Sequence, residues 1–136
     1  MSFENELKLC VEEEKNDDLK NLSLEDMLKT GLYKLSKREQ FYEKLKTSQV
    51  FTLGRIDENK NVSLDLFVNE NNESYVLIFT NQEELFDLMK KNGLEDYLTV
   101  PMNNFAKVFH EIDYIINILN PNALLIAKEH IQKYLL

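Results

Sequence analysis

The only thiol in the chain, Cys10, is the first residue that could act as a nucleophile. A reactive cysteine needs a stabilised thiolate, which a basic neighbour or a helix N-terminus provides. Three acidic residues instead follow Cys10 almost at once, at Glu12, Glu13 and Glu14. No glycine-rich loop that could bind an anion comes after them. The sequence therefore predicts neither cysteine catalysis nor sulfur transfer at this position.

The two histidines, His110 and His130, are the next candidates, as metal ligands or general bases. Their acidic neighbours are Glu111, Asp113 and Glu129. Consecutive helical residues point about 100° apart, and neither histidine has a His or Cys three or four residues away, so no ligand set converges. The chain also has no G-x-S-x-G elbow, and its three glycines form no phosphate loop. We expect no catalytic residue, metal ligand or cofactor.

A cluster of basic residues is the third feature, and it carries a net charge of +3 after two interspersed glutamates are counted. Its members are Lys34, Lys37, Arg38, Lys44 and Lys46. One interpretation is a basic docking face, for an acidic segment of the same or another copy. The interpretation we favour is the solvated side of an amphipathic helix whose Phe41 and Leu45 face the core.

The elements that position these residues begin with two helices. Ser23 with Asp26 three residues later is a capping start, and Gly31 ends the short helix that follows. Ser36 and Glu39 form an S-x-x-E capping box, which predicts a second helix from Ser36.

The spacing of apolar residues then changes from the period of a helix to the period of a strand. Residues 49–56 and 61–68 are rich in strand formers, and residues 74–80 are apolar on both faces, as in a central strand. Three antiparallel strands in a meander are predicted, with Arg55 paired to Asp65 across the first hairpin. The second strand is expected to bury one face, formed by Val62, Leu64, Leu66 and Val68.

A capped helix and an edge strand come next. Asn81 caps the helix with Glu84 at the third position, and Gly93 ends it. Its predicted buried face consists of Leu85, Phe86, Leu88 and Met89. Residues 97–101 end in a proline, which lacks an N–H and is tolerated at a sheet edge.

The last third of the chain continues the alternation of helix and strand. A helix is predicted over 103–111, a strand or buried helix over 114–119, a strand over 123–127 and a closing helix from Lys128. The whole order predicts an α+β domain, in which helices pack on a mostly antiparallel, mixed sheet.

The amino-acid composition limits the number of domains, the compartment and the classes of partner that we expect. The chain has 136 residues, a net charge of −8 and one cysteine, which fits one domain in the reducing cytoplasm. Half of the excess charge lies in residues 1–20, predicted to be a frayed acidic leader before a domain at 21–136. The acidity disfavours nucleic acid, and no apolar run approaches the roughly 20 residues of a membrane span.

Two short signatures tie these elements to a known family. Val76-Leu77-Ile78-Phe79-Thr80 runs directly into the helix that begins with Gln82, and Asn120-Pro121 precedes a strand and a closing helix. Over about residues 36–136 the chain resembles the N-terminal domain of the SseB family, the enhanced serine sensitivity proteins of bacteria. The resemblance implies a small cytoplasmic α+β protein without an agreed activity, and it transfers no catalytic residue.

We therefore expect a non-enzymatic protein-interaction or adaptor domain whose partner is a protein. The residues expected to bind it are Phe67, Tyr75, Tyr97, Pro101 and Tyr114. The alternative is a small ligand-binding protein or enzyme with a pocket assembled from residues distant in sequence. A third possibility is self-association of the acidic leader with the basic cluster, giving a homo-oligomer.

Overall fold

The computed structural model describes residues 22–32 and 34–136. These residues form five helices and seven strands, as the spacing of their apolar side chains favours. The helices are α1 (Leu24–Lys29), α2 (Leu35–Lys46), α3 (Gln82–Asn92), α4 (Met102–Val108) and α5 (Lys128–Tyr134). The strands are β1 (Gln49–Ile56), β2 (Val62–Leu64), β3 (Phe67–Val68), β4 (Ser74–Phe79), β5 (Tyr97–Pro101), β6 (Tyr114–Ile116) and β7 (Leu124–Ile126). The predicted acidic leader, with Cys10, lies outside the described residues. No described helix has the length and apolar character needed to cross a bilayer.

The strands form one mixed, mostly antiparallel sheet, which confirms the predicted α+β class. The central order is β2-β1-β4-β6-β7, with β5 paired to β1 and β3 paired to β4. The β4–β6 pair is parallel and the other pairs are antiparallel. Within the described part of the chain β5 pairs with β1 alone, so its position at a sheet edge is confirmed. The segment 114–119 resolves as the strand β6 and a following loop.

The predicted meander is wrong, because the second predicted strand is two strands. β2 pairs with β1, and β3 pairs with β4. Since β1 and β4 also pair directly and antiparallel, the chain must reverse direction between β2 and β3, at Asp65 and Leu66. Three residues of the expected buried face are exposed, namely Val62, Leu66 and Val68. Alternation shows only that successive side chains point to opposite faces; whether a second layer covers either face depends on the fold.

Two separate cores lie on the two faces of the sheet. On the first face, α1, α2, α4 and α5 pack together over Val76 and Ile78 of β4. On the second face α3 is the only helix of the described residues that packs over Leu77 and Phe79. The strand β4 is thus central and covered on both sides, as its apolar sequence predicted. Of the helices in residues 22–32 and 34–136, one covers the second face and four cover the first.

Two of the three N-terminal caps predicted from the sequence are present, and the third is absent. Ser23 accepts a hydrogen bond from the Asp26 N–H at 3.1 Å, and Asn81 accepts one from the Glu84 N–H at 3.0 Å. Gly93 ends α3 with a φ of 64°. The S-x-x-E box at Ser36 is not used, because the Lys34 carbonyl already accepts the first helical hydrogen bond of α2. The helix therefore begins one residue before the predicted cap.

Candidate functional site

An apolar groove remains where α3 leaves the second face of the sheet uncovered. It has a volume of about 480 Å³ and lies between α3, the segment that joins β2 to β3, and the loop after β6. Its lining residues are Leu53, Asp65, Leu66, Phe67, Leu77, Leu88, Asn92, Leu94, Ile118 and Leu119. We call this the α3 groove.

The walls of the α3 groove are exposed apolar side chains over a buried floor. Leu53 and Leu77 come from the sheet and are 2% and 5% exposed, whereas Leu66, Phe67 and Leu119 on the walls are 43%, 38% and 44% exposed. Such a surface gains free energy when another apolar surface covers it.

The two polar residues of the groove are already engaged. The Asp65 carboxylate lies 3.9 Å from the Arg55 guanidinium, which confirms the predicted pair. The Asn92 amide donates to the Leu88 carbonyl at 2.9 Å. The Arg55 and Asp65 side chains both lie on the protein surface, so their ion pair contributes little to stability. The groove is suited to apolar contact with a few polar groups at its margin.

Strand register extends this apolar surface beyond the groove. Leu77 of the floor pairs with Ile115, and Ile115 pairs with Leu125 on β7. Directly paired residues share one face of a sheet. Leu125 is 51% exposed, so the uncovered apolar surface continues across β6 to β7.

Four of the five predicted partner-binding residues lie on this same face. Phe67 pairs directly with Tyr75, and their ring centroids are 6.2 Å apart. Tyr97 pairs with Leu53 of the groove floor, and Pro101 lies farther along the same strand at an even spacing. Phe67 lines the groove, whereas Tyr97 lies at the edge strand. The sequence named these residues separately, and the sheet places them on one surface.

A second apolar patch lies at the edge strand. Phe86 was expected in the buried face of α3, but it is 46% exposed. Leu85 and Met89 already form the buried stripe, and Phe86 points about 100° away from Leu85 on the helix. The Phe86 ring contacts Tyr97, with centroids 5.5 Å apart, and Tyr97 contacts Phe51 at 6.2 Å.

Tyr114, expected on the surface, is fully buried and lies on the opposite face of the sheet. It pairs with Val76, which faces the four-helix layer. Its hydroxyl donates to the Phe109 carbonyl, and its ring packs on Phe105 with centroids 5.8 Å apart. A large aromatic residue in a short strand does not reveal which face of the sheet it occupies. Tyr114 is a core residue and cannot touch a partner on the α3 face.

Burial also makes Tyr114 a source of pH dependence. It raises the pKa of the phenol above its ordinary value of 10.0. Unfolded tyrosine ionises near pH 10, so stability is complete below that pH and falls above it by about 1.4 kcal/mol per pH unit. We expect Tyr114→Phe to flatten this decline between about pH 10 and pH 12, measured by urea unfolding. An equal decline in both proteins would contradict this assignment; Tyr42, whose pKa burial also raises, stays in both as an internal reference.

The predicted basic cluster does not form one face. Arg38 donates to the Leu32 carbonyl at 2.9 Å, and Lys44 donates to the Leu22 carbonyl. At about 100° per residue, Lys46 points to the opposite flank of α2 from Lys37. Lys34 precedes the first turn as its N-cap residue. Two of the five basic groups thus hold the segment before α2 in place, on the side of the sheet away from the α3 groove.

The histidines have structural surroundings and stand apart from the α3 groove. His130 Nδ1 lies 3.2 Å from the Tyr42 hydroxyl, and its ring meets Tyr134 edge to face. The His110 carbonyl accepts from Gln132 at 2.9 Å, while its buried Nδ1 atom has no hydrogen-bond partner among the described residues. Neither histidine lines the groove. Within residues 22–32 and 34–136, no three His, Cys, Asp or Glu side chains come together in a way that could hold a metal ion.

The residue that fixes one wall of the groove was not identified from the sequence. Asn117 is buried and has a φ of 53°, a conformation that asparagine tolerates better than other side chains. Its Oδ1 accepts from the Thr80 N–H at 3.0 Å, and its Nδ2 donates to the Thr80 hydroxyl at 2.8 Å. Asn120 in the same loop donates to the Glu84 carboxylate of α3. These bonds tie the loop that carries Ile118 and Leu119 to both β4 and α3. The only signal in the sequence was the nearby Asn120-Pro121 pair.

Comparison with known proteins gives one finding. A sequence model of the SseB protein N-terminal domain matches residues 25–133. The match begins within α1, earlier than the stretch on which the sequence resemblance rests, and ends within α5. No curated protein and no solved structure shows significant similarity to the chain.

Proposed function

The chain belongs to the SseB N-terminal domain family, and we propose that it is a non-enzymatic protein-interaction domain of the cytoplasm that binds its partner on the α3 face of the sheet. The observation that carries this proposal is the α3 groove, whose walls are exposed apolar side chains. Leu66, Phe67 and Leu119 line it, Leu125 continues the exposed apolar surface on β7, and Phe86 lies on the far side of α3.

The groove differs from the scattered exposure that is normal on protein surfaces. The other face also has exposed apolar residues, such as Leu35, Val108 and the paired Ile56 and Val62, but none of them lines the groove. A contiguous apolar surface is unfavourable in water, and it is typical of sites that another molecule covers. The α3 face leaves the apolar walls of a concave groove uncovered.

The edge strand β5 offers a second contact region for the same partner. One side of β5 pairs with β1, and a proline ends the strand. The aromatic patch of Phe51, Phe86 and Tyr97 lies beside it. Aromatic residues are enriched at protein interfaces because they bury much area with few rotatable bonds. We propose the groove as the main contact region, since it is concave and apolar, and the edge strand as an additional one.

One observation favours the alternative, a small ligand. The groove volume of about 480 Å³ lies within the range of small-molecule sites, roughly 300 to 1,000 Å³. The walls, however, are about two-fifths exposed, so a small ligand would remain largely in water. For this reason a protein partner is the preferred occupant.

Photo-crosslinking in the cell that makes the protein tests the proposal. A photoreactive phenylalanine replaces Phe67, Leu119 or, as the matched control, Val108. We expect discrete protein adducts from positions 67 and 119 and none of the same adducts from 108. Identical adducts from all three positions, or none from any, would contradict the proposal. A small-mass adduct in native mass spectrometry that Leu66→Ser and Leu119→Ser abolish would instead support the ligand.

A further inference from the structure

We infer that the occupant of the α3 groove is a basic amphipathic helix of the partner protein. The inference rests on the proposed interaction function and adds to it the chemistry of the partner. Two features of the described residues carry it: the backbone pairing of the groove floor and the distribution of charge on the α3 side.

The floor of the groove excludes an extended segment and accepts a helix. Its strands, β1 and β4, are paired with each other, and each has a further neighbour on its other side, β5 and β6. An extended partner lying on this floor would find no backbone groups to pair with, and unpaired buried backbone groups are costly. A helix forms its backbone hydrogen bonds internally and presents only side chains to the groove.

The groove also has the outline that helix recognition requires. Leu88 of α3 stands on one side, Phe67 and Leu119 stand on the other, and Leu53 and Leu77 form the base. Amphipathic helices bind such grooves through apolar residues spaced three and four apart. The four helices on the opposite face show that this sheet already packs several helices side by side. A partner helix beside α3 would repeat that arrangement.

Charge is unevenly distributed among the segments of the described chain. Residues 55–96, which build β2, β3, β4 and α3, contain ten acidic and four basic residues, a net charge of −6. Described residues up to 54 contain four acidic and six basic residues, a net charge of +2, and residues 97–136 are neutral with three of each. The acids of this segment are Asp57, Glu58, Asp65, Glu70, Glu73, Glu83, Glu84, Asp87, Glu95 and Asp96. The acidity of the described chain thus comes from the segment that builds the groove.

Two of these acids lie at the margin of the groove. Asp65 lines it, and Glu84 binds Asn120 in the loop that carries Leu119. Arg55 is shared between Asp65 and Asp96, at 3.9 and 4.0 Å, and leaves one negative charge over. Lysine or arginine beside the apolar stripe of a partner helix would complement this margin and steer its approach.

The same charge argues against three other occupants. A fatty acid would bring its carboxylate to an acidic margin, and an anionic membrane would be repelled. A second copy of the chain that presented its own α3 face would oppose one acidic surface with another. A basic helix is the occupant that satisfies both the apolar floor and the acidic margin.

Fluorescence anisotropy with a synthetic peptide tests the inference. The probe is a labelled peptide of about five helical turns, with leucine on one face and lysine on the other. We expect Leu66→Ser with Leu119→Ser to weaken its binding about tenfold, because two apolar contacts are lost. The matched control, Leu35→Ser with Val108→Ser, changes exposed apolar residues of the helical side and should leave binding unchanged. Equal loss in the two proteins would overturn the site.

The charge is tested by a second pair of variants with equal net charge. Asp65→Asn with Glu84→Gln should weaken binding about threefold, and more than Glu39→Gln with Glu129→Gln on α2 and α5. Raising the salt from about 0.05 to about 0.3 M should also weaken binding severalfold. A peptide with glutamate in place of lysine that bound as tightly, or oleate that displaced the basic peptide at lower concentration, would overturn the inference.

Failure of the inference and failure of the proposed function give different results. Crosslinks from positions 67 and 119 in the cell, together with no groove-dependent binding of the basic peptide, would overturn the helix chemistry and leave the interaction function standing. Groove-dependent peptide binding without cellular crosslinks would support the groove chemistry and overturn the function. Amide chemical shifts of Leu66, Phe67, Leu88, Ile118 and Leu119 should move on peptide addition, and shifts confined to α2 would overturn the site.

Discussion

Replacing Asn117 with alanine should lower the free energy of unfolding by about 3 kcal/mol. The substitution leaves the Thr80 N–H, which now donates to the Asn117 side chain at 3.0 Å, without that partner at the end of a buried strand. A buried donor that loses its acceptor costs about 1 to 3 kcal/mol, and the lower end of this range applies here because the bond is only partly buried. Alanine also tolerates a φ of 53° less well than asparagine does. The two costs act at the same residue, so we expect them to add.

A glycine at the same position separates the two costs. Asn117→Gly removes the same side-chain hydrogen bonds but accepts a positive φ freely, so it should be about 1 kcal/mol more stable than the alanine variant. Urea unfolding followed by circular dichroism measures both. An alanine variant within about 1 kcal/mol of the unchanged protein would show that the loop does not depend on Asn117. Because the loop carries Leu119, both variants should also weaken peptide binding in the α3 groove.

Replacing Gly54 with alanine should have the second large effect, a loss of about 2 to 4 kcal/mol. A Cβ atom at Gly54 would lie 2.5 Å from the Ser63 carbonyl oxygen and 3.2 Å from the Leu64 Cα atom. Both atoms belong to the backbone of β2, so no side-chain rotation relieves the contact. Strands β1 and β2 must move apart, and the segment with Asp65 and Leu66 that follows β2 moves with them. Thermal or urea unfolding gives the loss of stability.

Gly93 provides the matched control for this substitution. A Cβ atom there meets nothing within 4 Å, but the residue has a φ of 64°. Gly93→Ala should therefore cost only about 1 kcal/mol, which is the strain of a left-handed alanine. If Gly54→Ala cost no more than Gly93→Ala, close backbone approach would not be what requires glycine at position 54.

Local signals in the sequence predicted the parts of the fold that depend on neighbouring residues. The caps at Ser23 and Asn81 form as expected because the donor and acceptor lie three residues apart in the chain. The edge position of β5 followed from Pro101, which lacks an N–H. The box at Ser36 failed, since a helix can begin earlier when its backbone alone supplies the first bond.

The groove could not be predicted from local sequence patterns, because residues distant in the chain form it. Phe67 and Tyr97 were named as partner residues because they are aromatic, but only the register of β1, β3 and β4 places them on one face. Phe86 and Tyr114 were placed wrongly because an apolar residue is buried only where another layer covers it. Asn117 was missed because its partner, Thr80, is 37 residues away.

The sequence by itself determined the α+β class, the family, most helix and strand positions and the acidic character of the chain. Periodicity, capping residues and charge are properties of short segments, so one chain is enough to establish them. The tertiary structure alone decided that, of the helices in the described part of the chain, four cover one face of the sheet and one covers the other. That imbalance creates the α3 groove, because the area of a sheet face left in water is fixed only when distant elements pack together.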